Sequence, residues 1–129
     1  MPREVLTTPA AAAPKASYSQ AVHAAGLLFT AGFGPHDATT GNVVEGDIRA
    51  QTNQTLDNLE AVLATRGLTF AHLVKVTVHL QDLKRDFAAF DEEYRRRVPA
   101  PFPARTTVGS QLWDILVEID VVAVSDADR

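Results

Sequence analysis

Val74-Lys75-Val76-Thr77-Val78-His79-Leu80 places an apolar side chain at every second position, with Lys75, Thr77 and His79 between them. Period two is the pattern of a strand with one buried face and one wetter face. Helical patterns flank it on both sides. Upstream, Ile48, Thr52, Thr55, Leu56, Leu59, Val62 and Leu63 recur at helical spacing behind Asp47, a candidate N-cap, and Gly67 stands where a helix-terminating glycine belongs. That helix runs about five turns. Downstream, Phe87, Phe90, Tyr94 and Val98 share one face of a second helix over roughly 84–98, and Arg95-Arg96-Arg97 suits its C-terminal end.

Further strands are expected on either side of this unit. Tyr18 to Ala24 and Leu27 to Ala31 read as two strands joined at Ala25-Gly26, a hairpin. Residues 105–110 and 116–124 read as the last two strands, with Gln111 to Asp114 as the turn between them. Residues 1–16 are Pro- and Ala-rich and expected to be extended, with Glu4 to Leu6 a candidate short strand. The order is β-β-α-β-α-β-β, which predicts one α+β domain over residues 1–129: a mixed sheet with both helices on one face. The other face would be bare, and oligomerisation is the simplest cover for it.

Composition narrows the function classes. At 129 residues, with 46% hydrophobic and 22% charged residues, the chain is an ordinary globular one. It has no cysteine, which excludes a disulfide framework and a thiol nucleophile and fits a cytoplasmic protein. A net charge of −4 gives no sign of a nucleic-acid or membrane partner. The N-terminus lacks the apolar core of a signal peptide, and the uncharged run Ala24 to Pro35 is too short to span a bilayer. His23, His36, His72 and His79 show no metal-ligand spacing and read as ordinary histidines. Gly32-x-Gly34 is not a dinucleotide fingerprint, and no nucleophile elbow occurs.

Two places carry chemistry. In Pro101-Phe102-Pro103-Ala104-Arg105-Thr106-Thr107-Val108 the prolines fix the approach to a strand that opens with an arginine. That guanidinium either reaches solvent or points into a pocket that receives an anion, a carboxylate matching its planar fork. In Leu116 to Val124 the only charged residues are Glu118 and Asp120, on one face of the strand and about 7 Å apart. Asp120 reads equally well as a functional group or as a carboxylate that faces solvent or pairs with Lys75 or an arginine. A hairpin between the last two strands would set Glu118 beside Arg105. An ionised Glu in a cleft can take a proton from water. Arg, Glu and water together suffice to hydrolyse a polar C=N bond in a small carboxylate. Tyr18 reads as core packing with a satisfied hydroxyl or as a pocket wall.

The segments Tyr18-Ser19-Gln20-Ala21-Val22, Leu28-Phe29-Thr30-Ala31-Gly32, Gln51 to Leu63, Val74 to Val78, Phe102-Pro103-Ala104-Arg105 and Val117-Glu118-Ile119 together resemble the Rid (RidA/YjgF) family of reactive intermediate deaminases. The resemblance covers nearly the whole chain, in order. It implies a chorismate-mutase-like α+β domain forming a homotrimer around a barrel-like core, with sites in clefts between subunits. It implies cofactor-independent hydrolysis of 2-imino acids and enamines to 2-keto acids and ammonia. The residues it marks are Arg105 for the substrate carboxylate, Glu118 for water and Tyr18 as a site wall. The sequence departs from the family at Ala31, Gly32 and Phe33, where Ser-Gly-Gln is usual, at Thr107 in place of a cysteine, at Ala16-Ser17 in place of Gly-Pro, and at Asp91 in place of an asparagine. These positions bear on the substrate more than on the reaction. Asp91 would repel a second substrate carboxylate, and Phe33 would close the pocket or favour a bulkier side chain. Other uses of the same cleft are a non-catalytic small-carboxylate-binding or chaperone-like trimer and a specialised pathway enzyme. Ribonuclease activity, reported for some family members, fits this acidic chain least.

Overall fold

In the computed structural model, residues 2–125 are described. Six strands, β1 (Glu4–Leu6), β2 (Ala21–Ala24), β3 (Leu27–Thr30), β4 (Leu73–Leu80), β5 (Ala104–Gly109) and β6 (Val117–Val124), form one sheet, with helices α1 (Ile48–Ala64) and α2 (Leu83–Arg97). This is the expected α+β arrangement, and the candidate strand at residues 4–6 is β1. Local signals set most element ends. The Asp47 carboxylate accepts from the Arg49 and Ala50 backbone N–H groups and starts α1, while Asp82 accepts from Arg85 N–H and starts α2. Ala25 and Gly26 both have positive φ, at 54° and 76°, as a two-residue hairpin turn requires.

The strand order is β1-β2-β3-β6-β4-β5. β4 and β5 are parallel, and β6 lies between β3 and β4, antiparallel to both. The expected hairpin between the last two strands is therefore absent. α2 carries the chain back over the sheet, as a parallel pair requires, and delivers β5 to the edge. The chain then returns past β4, and β6 enters the centre. Composition explains the choice. Val117, Ile119, Val121 and Ala123 are all buried, so a central position gains most from this strand, whereas the polar Thr106 and Thr107 suit an edge.

Both helices pack on the face that carries Val76, Val78, Leu80, Val117, Ile119 and Val121. The opposite face presents Val22, Phe29, Val122, Lys75, Thr77, His79, Glu118 and Asp120. Phe29 is 42% exposed there, so this face is uncovered in the single chain. No helix among the described residues is long and apolar enough to cross a membrane.

Candidate active site

Pairing register separates the two residues expected to act together. Arg105 lies level with Val76, and Val76 with Val121, so Arg105 is on the helix-packed side of the edge strand. Glu118 lies level with His79, three residues along β6 from Val121, and therefore on the other face. β4 stands between them. Within one chain, Arg105 and Glu118 cannot share a ligand, and the site divides into two cavities.

The first cavity holds about 340 Å³ and is lined by Asp91, Tyr94, Arg95, Phe102, Pro103 and Arg105. That volume accommodates a small metabolite. The Arg105 guanidinium carbon lies 4.6 Å from the Tyr94 ring centre, 5.5 Å from Phe90 and 5.7 Å from Phe87. These aromatic faces favour the cation and screen it from water. The Arg105 side chain is only 20% exposed, and its Nη1 donates to Asp91 Oδ1 at 2.8 Å. That is its one hydrogen bond among the described residues, so most of its five donors remain for a ligand. Asp91 Oδ2 accepts from Arg95 Nη2 at 2.8 Å. Burial works to raise the Asp91 carboxyl, but the hydrogen bonds and charges of Arg105 and Arg95 outweigh it and hold the group below its ordinary value. The Tyr94 hydroxyl is buried without a hydrogen-bond partner. Burial pushes that phenol upward, with Arg105 limiting the rise.

The second cavity, about 110 Å³, is lined by Tyr18, Lys15, Gly32, Phe33, His36 and Glu118, with Ala12, Ala13, Gly34 and Ile115 completing the wall. Glu118 lies so close over Gly32 that a Cβ there would fall 2.5 Å from its Oε2. Gly32 thus lets the Glu118 carboxylate lie directly over the backbone. Burial, and then the Lys15 charge, lower the pKa of His36 below its ordinary value.

Two buried amides assemble these walls. The Asn58 Oδ1 accepts from Ala12 N–H at 2.9 Å, and its Nδ2 donates to the carbonyls of Gly34 and His36 at 3.1 and 2.9 Å. The Gln20 Oε1 accepts from Thr8 N–H at 2.7 Å, and its Nε2 donates to Ala12 O at 2.9 Å. Together they pin the N-terminal segment and the 34–36 loop to α1 and the sheet.

The sequence-expected residues distribute as follows. Arg105 and Asp91 meet directly, with Thr107 two residues along the same face of β5. Glu118, Tyr18, Gly32 and Phe33 line the second cavity. Tyr18 precedes β2 rather than starting it; it is 48% exposed, and its hydroxyl accepts a long bond from Lys15 N–H. Phe33 is a bridge partner of Ile119 and belongs to the hydrophobic core, so its ring is committed to packing. Ala31 lines neither cavity; its N–H donates to Gln20 O. Asp120 has no ion-pair partner among the described residues; Lys75 donates to Thr106 Oγ1. Sequence reading missed Lys15, His36, Asn58 and the aromatic box. The last had a signal: Phe87, Phe90 and Tyr94 form one helix face, and the next strand opens with a cation.

Two helices packed on a mixed six-stranded sheet define a fold that known proteins share. The family model described as Endoribonuclease L-PSP matches residues 8–125. A RutC family protein of Pyrococcus horikoshii is 41% identical over 126 residues, covering 96% of this chain and 99% of that one. Reactive Intermediate Deaminase A, chloroplastic, of Arabidopsis thaliana is 36% identical, covering 94% of this chain and 65% of that one. A crystal structure from Yersinia pestis, described as a conserved Rid protein family member of unknown function, superposes with a TM-score of 0.90 at 34% identity, covering 95% of this chain and 99% of that one. The chain belongs to this RutC/Rid family.

Proposed function

We propose that the protein hydrolyses small 2-imino acids, or their enamine tautomers, to 2-keto acids and ammonia, in clefts that join two copies of the chain in a homotrimer. The observation that carries this reading is the division of the site. Arg105 waits in an aromatic-walled cavity with most of its donors unspent, while Glu118 sits with Tyr18 and Gly32 on the other sheet face. Neither half suffices alone. The uncovered apolar face around Phe29 and Val122 supplies the surface on which a second copy would pack. A cytoplasmic location belongs to the same reading.

In the proposed reaction Arg105 holds the substrate carboxylate through paired N–H donors. Glu118 of the neighbouring copy accepts a proton from water as the water oxygen bonds to the C=N carbon, and then returns that proton to the nitrogen that will leave. Collapse of the tetrahedral adduct forms the carbonyl, breaks the C–N bond and releases ammonia. Water is the only co-reactant. Tyr18, Gly32 and Phe33 shape the wall on the Glu118 side, and Thr107 and Asp91 the wall on the Arg105 side. The Asp91–Arg105 pair favours a second reading, a trimer that binds carboxylates without turnover. An endoribonuclease activity has less support, since the chain carries a net charge of −4 and its exposed cation at the cavity, Arg95, is already paired with Asp91.

The test is keto-acid release from imino acid generated in situ by an amino-acid oxidase. Acceleration over spontaneous hydrolysis is expected, with Arg105→Ala and Glu118→Gln each losing roughly 100-fold or more. Co-assembling the two inactive variants in equal amounts is expected to restore about a quarter of the wild-type rate, because random pairing joins an intact Arg105 half to an intact Glu118 half in that share of clefts. No acceleration by the wild type sinks the deaminase reading. No recovery on co-assembly sinks the shared cleft.

A further inference from the structure

Asp91 does more at Arg105 than a surface ion pair requires. Its two oxygens point to two arginines, and it lines the cavity together with both of them. Arg95 is 61% exposed, so its charge is well screened by solvent. The Arg105–Asp91 pair, 20% and 25% exposed, is the inner one. A ligand carboxylate that docks on the remaining donors of Arg105 must therefore come to rest beside a second, ionised carboxylate. Two anions on one guanidinium repel unless a cation or a strong N–H donor lies between them.

We propose, resting on the reading that Arg105 receives the substrate carboxylate, that Asp91 is a specificity-determining residue that selects ligands with a cationic nitrogen next to that carboxylate. A protonated 2-imino acid has its nitrogen on the carbon that bears the carboxylate. With the carboxylate on Arg105, that N–H⁺ group lies on the Asp91 side and donates to Oδ1, and the four charges alternate in sign. An α-amino acid has the same pair of groups. The product 2-keto acid does not. It offers an oxygen lone pair where the imine offered a donor, and that acceptor faces another acceptor. Asp91 thus favours the substrate over its own product and helps to expel the keto acid after the C–N bond breaks. Dicarboxylates are refused on the same ground.

A merely structural role, tying α2 to β5, predicts a stability loss on replacing Asp91 and no change in ligand preference. Calorimetric titration of the full chain with L-alanine and with pyruvate, which share a carbon skeleton, separates the two. The wild type is expected to bind alanine at least about tenfold more tightly than pyruvate, the share of one charge-assisted hydrogen bond. Asp91→Asn keeps the side-chain size and an oxygen acceptor for Arg105. In that variant the alanine-to-pyruvate ratio is expected to fall by about tenfold, with pyruvate gaining absolute affinity and becoming the stronger product inhibitor. Arg105→Ala is expected to lose both ligands. If Arg105→Ala abolishes binding of both ligands but Asp91→Asn leaves their ratio unchanged, the selector role is overturned and the Arg105 reading stands. If neither ligand binds the wild type, or binding survives Arg105→Ala, the Arg105 reading fails and the inference falls with it.

Discussion

The Arg105 cavity and the Glu118 cavity are built in opposite ways. Arg105, Asp91 and Tyr94 come from one stretch of chain, a helix and the strand that follows it, and the parallel crossover alone brings them together. Their mutual contacts are a salt bridge and aromatic faces that need no further segment of chain. The Glu118 cavity joins three distant segments, residues 12–18, 32–36 and 115–118, and depends on amides buried beneath it. One half is held by local succession. The other is held by a few hydrogen bonds from two buried side-chain amides. The two halves should therefore fail differently when disturbed.

The largest difference is expected for Asn58→Ala. The variant leaves the Ala12 N–H and the Gly34 carbonyl buried and unpaired, while the His36 carbonyl keeps its bond from Gln54 Nε2. At roughly 1–3 kcal/mol for each stranded group, a loss of about 3 kcal/mol is expected in urea unfolding. Asp91→Ala, in the other half, is expected to cost less, about 1 kcal/mol, since Arg95 is 61% exposed and Arg105 keeps its aromatic faces. A loss below about 1 kcal/mol for Asn58→Ala would erase the contrast, because the Glu118 wall would then stand without its staple.

Gly32→Ala comes next. The added methyl lands 2.5 Å from Glu118 Oε2 and 2.9 Å from its Cδ, so the carboxylate must swing away while the backbone stays. A fall in kcat of about tenfold or more is expected with KM nearly unchanged, because Arg105 still holds the ligand carboxylate in the other half. Equal damage to kcat and KM would mean that the halves are not separable in this way.

What could be read in the sequence follows the same line. Signals confined to a few residues were legible: Asp47 as a cap, Ala25-Gly26 as a turn, the alternation of β4, and the apolar face of α2. Arg105 and Asp91 were both singled out, and the crossover joins them. Strand order was not legible, because pairing is decided by long-range burial. The default of a hairpin between neighbouring strands put Glu118 beside Arg105, whereas the more apolar β6 took the centre of the sheet. Phe33 lines the second cavity as expected, and its membership of the hydrophobic core is what the sequence did not announce. Gln20 and Asn58 looked like ordinary polar residues, since a buried amide announces itself only through partners outside its own element, 8 to 12 residues away for Gln20 and 22 to 46 for Asn58.

The smallest effect is the one with a sign in it. Asp91 flanks the Arg105 half, and Asp120 shares the uncovered face with Glu118. Their surroundings shift them in opposite directions. Burial raises Asp120, with His79 and Lys75 only partly opposing it, while Arg105 and Arg95 outweigh burial at Asp91 and lower it from the same starting value of 3.8. For Asp91 the folded state favours the ionised form, so its contribution is present above about 3.8 and disappears as pH falls through the lower folded value. For Asp120 the folded state binds its proton more tightly than the unfolded chain does. Stability therefore declines as pH rises from about 3.8 through the raised value, and the penalty is complete above it. At pH 7, Asp91→Asn should destabilise and Asp120→Asn should stabilise, each by under about 1 kcal/mol because both groups reach solvent. Both differences should fade as the pH is lowered, that of Asp120 by pH 3.8 and that of Asp91 only below it. Urea midpoints for the two variants across that range check the signs directly. If both variants shift stability the same way at pH 7, the electrostatic distinction between the two halves is wrong, because it rests on Asp91 having found its arginines and Asp120 having none.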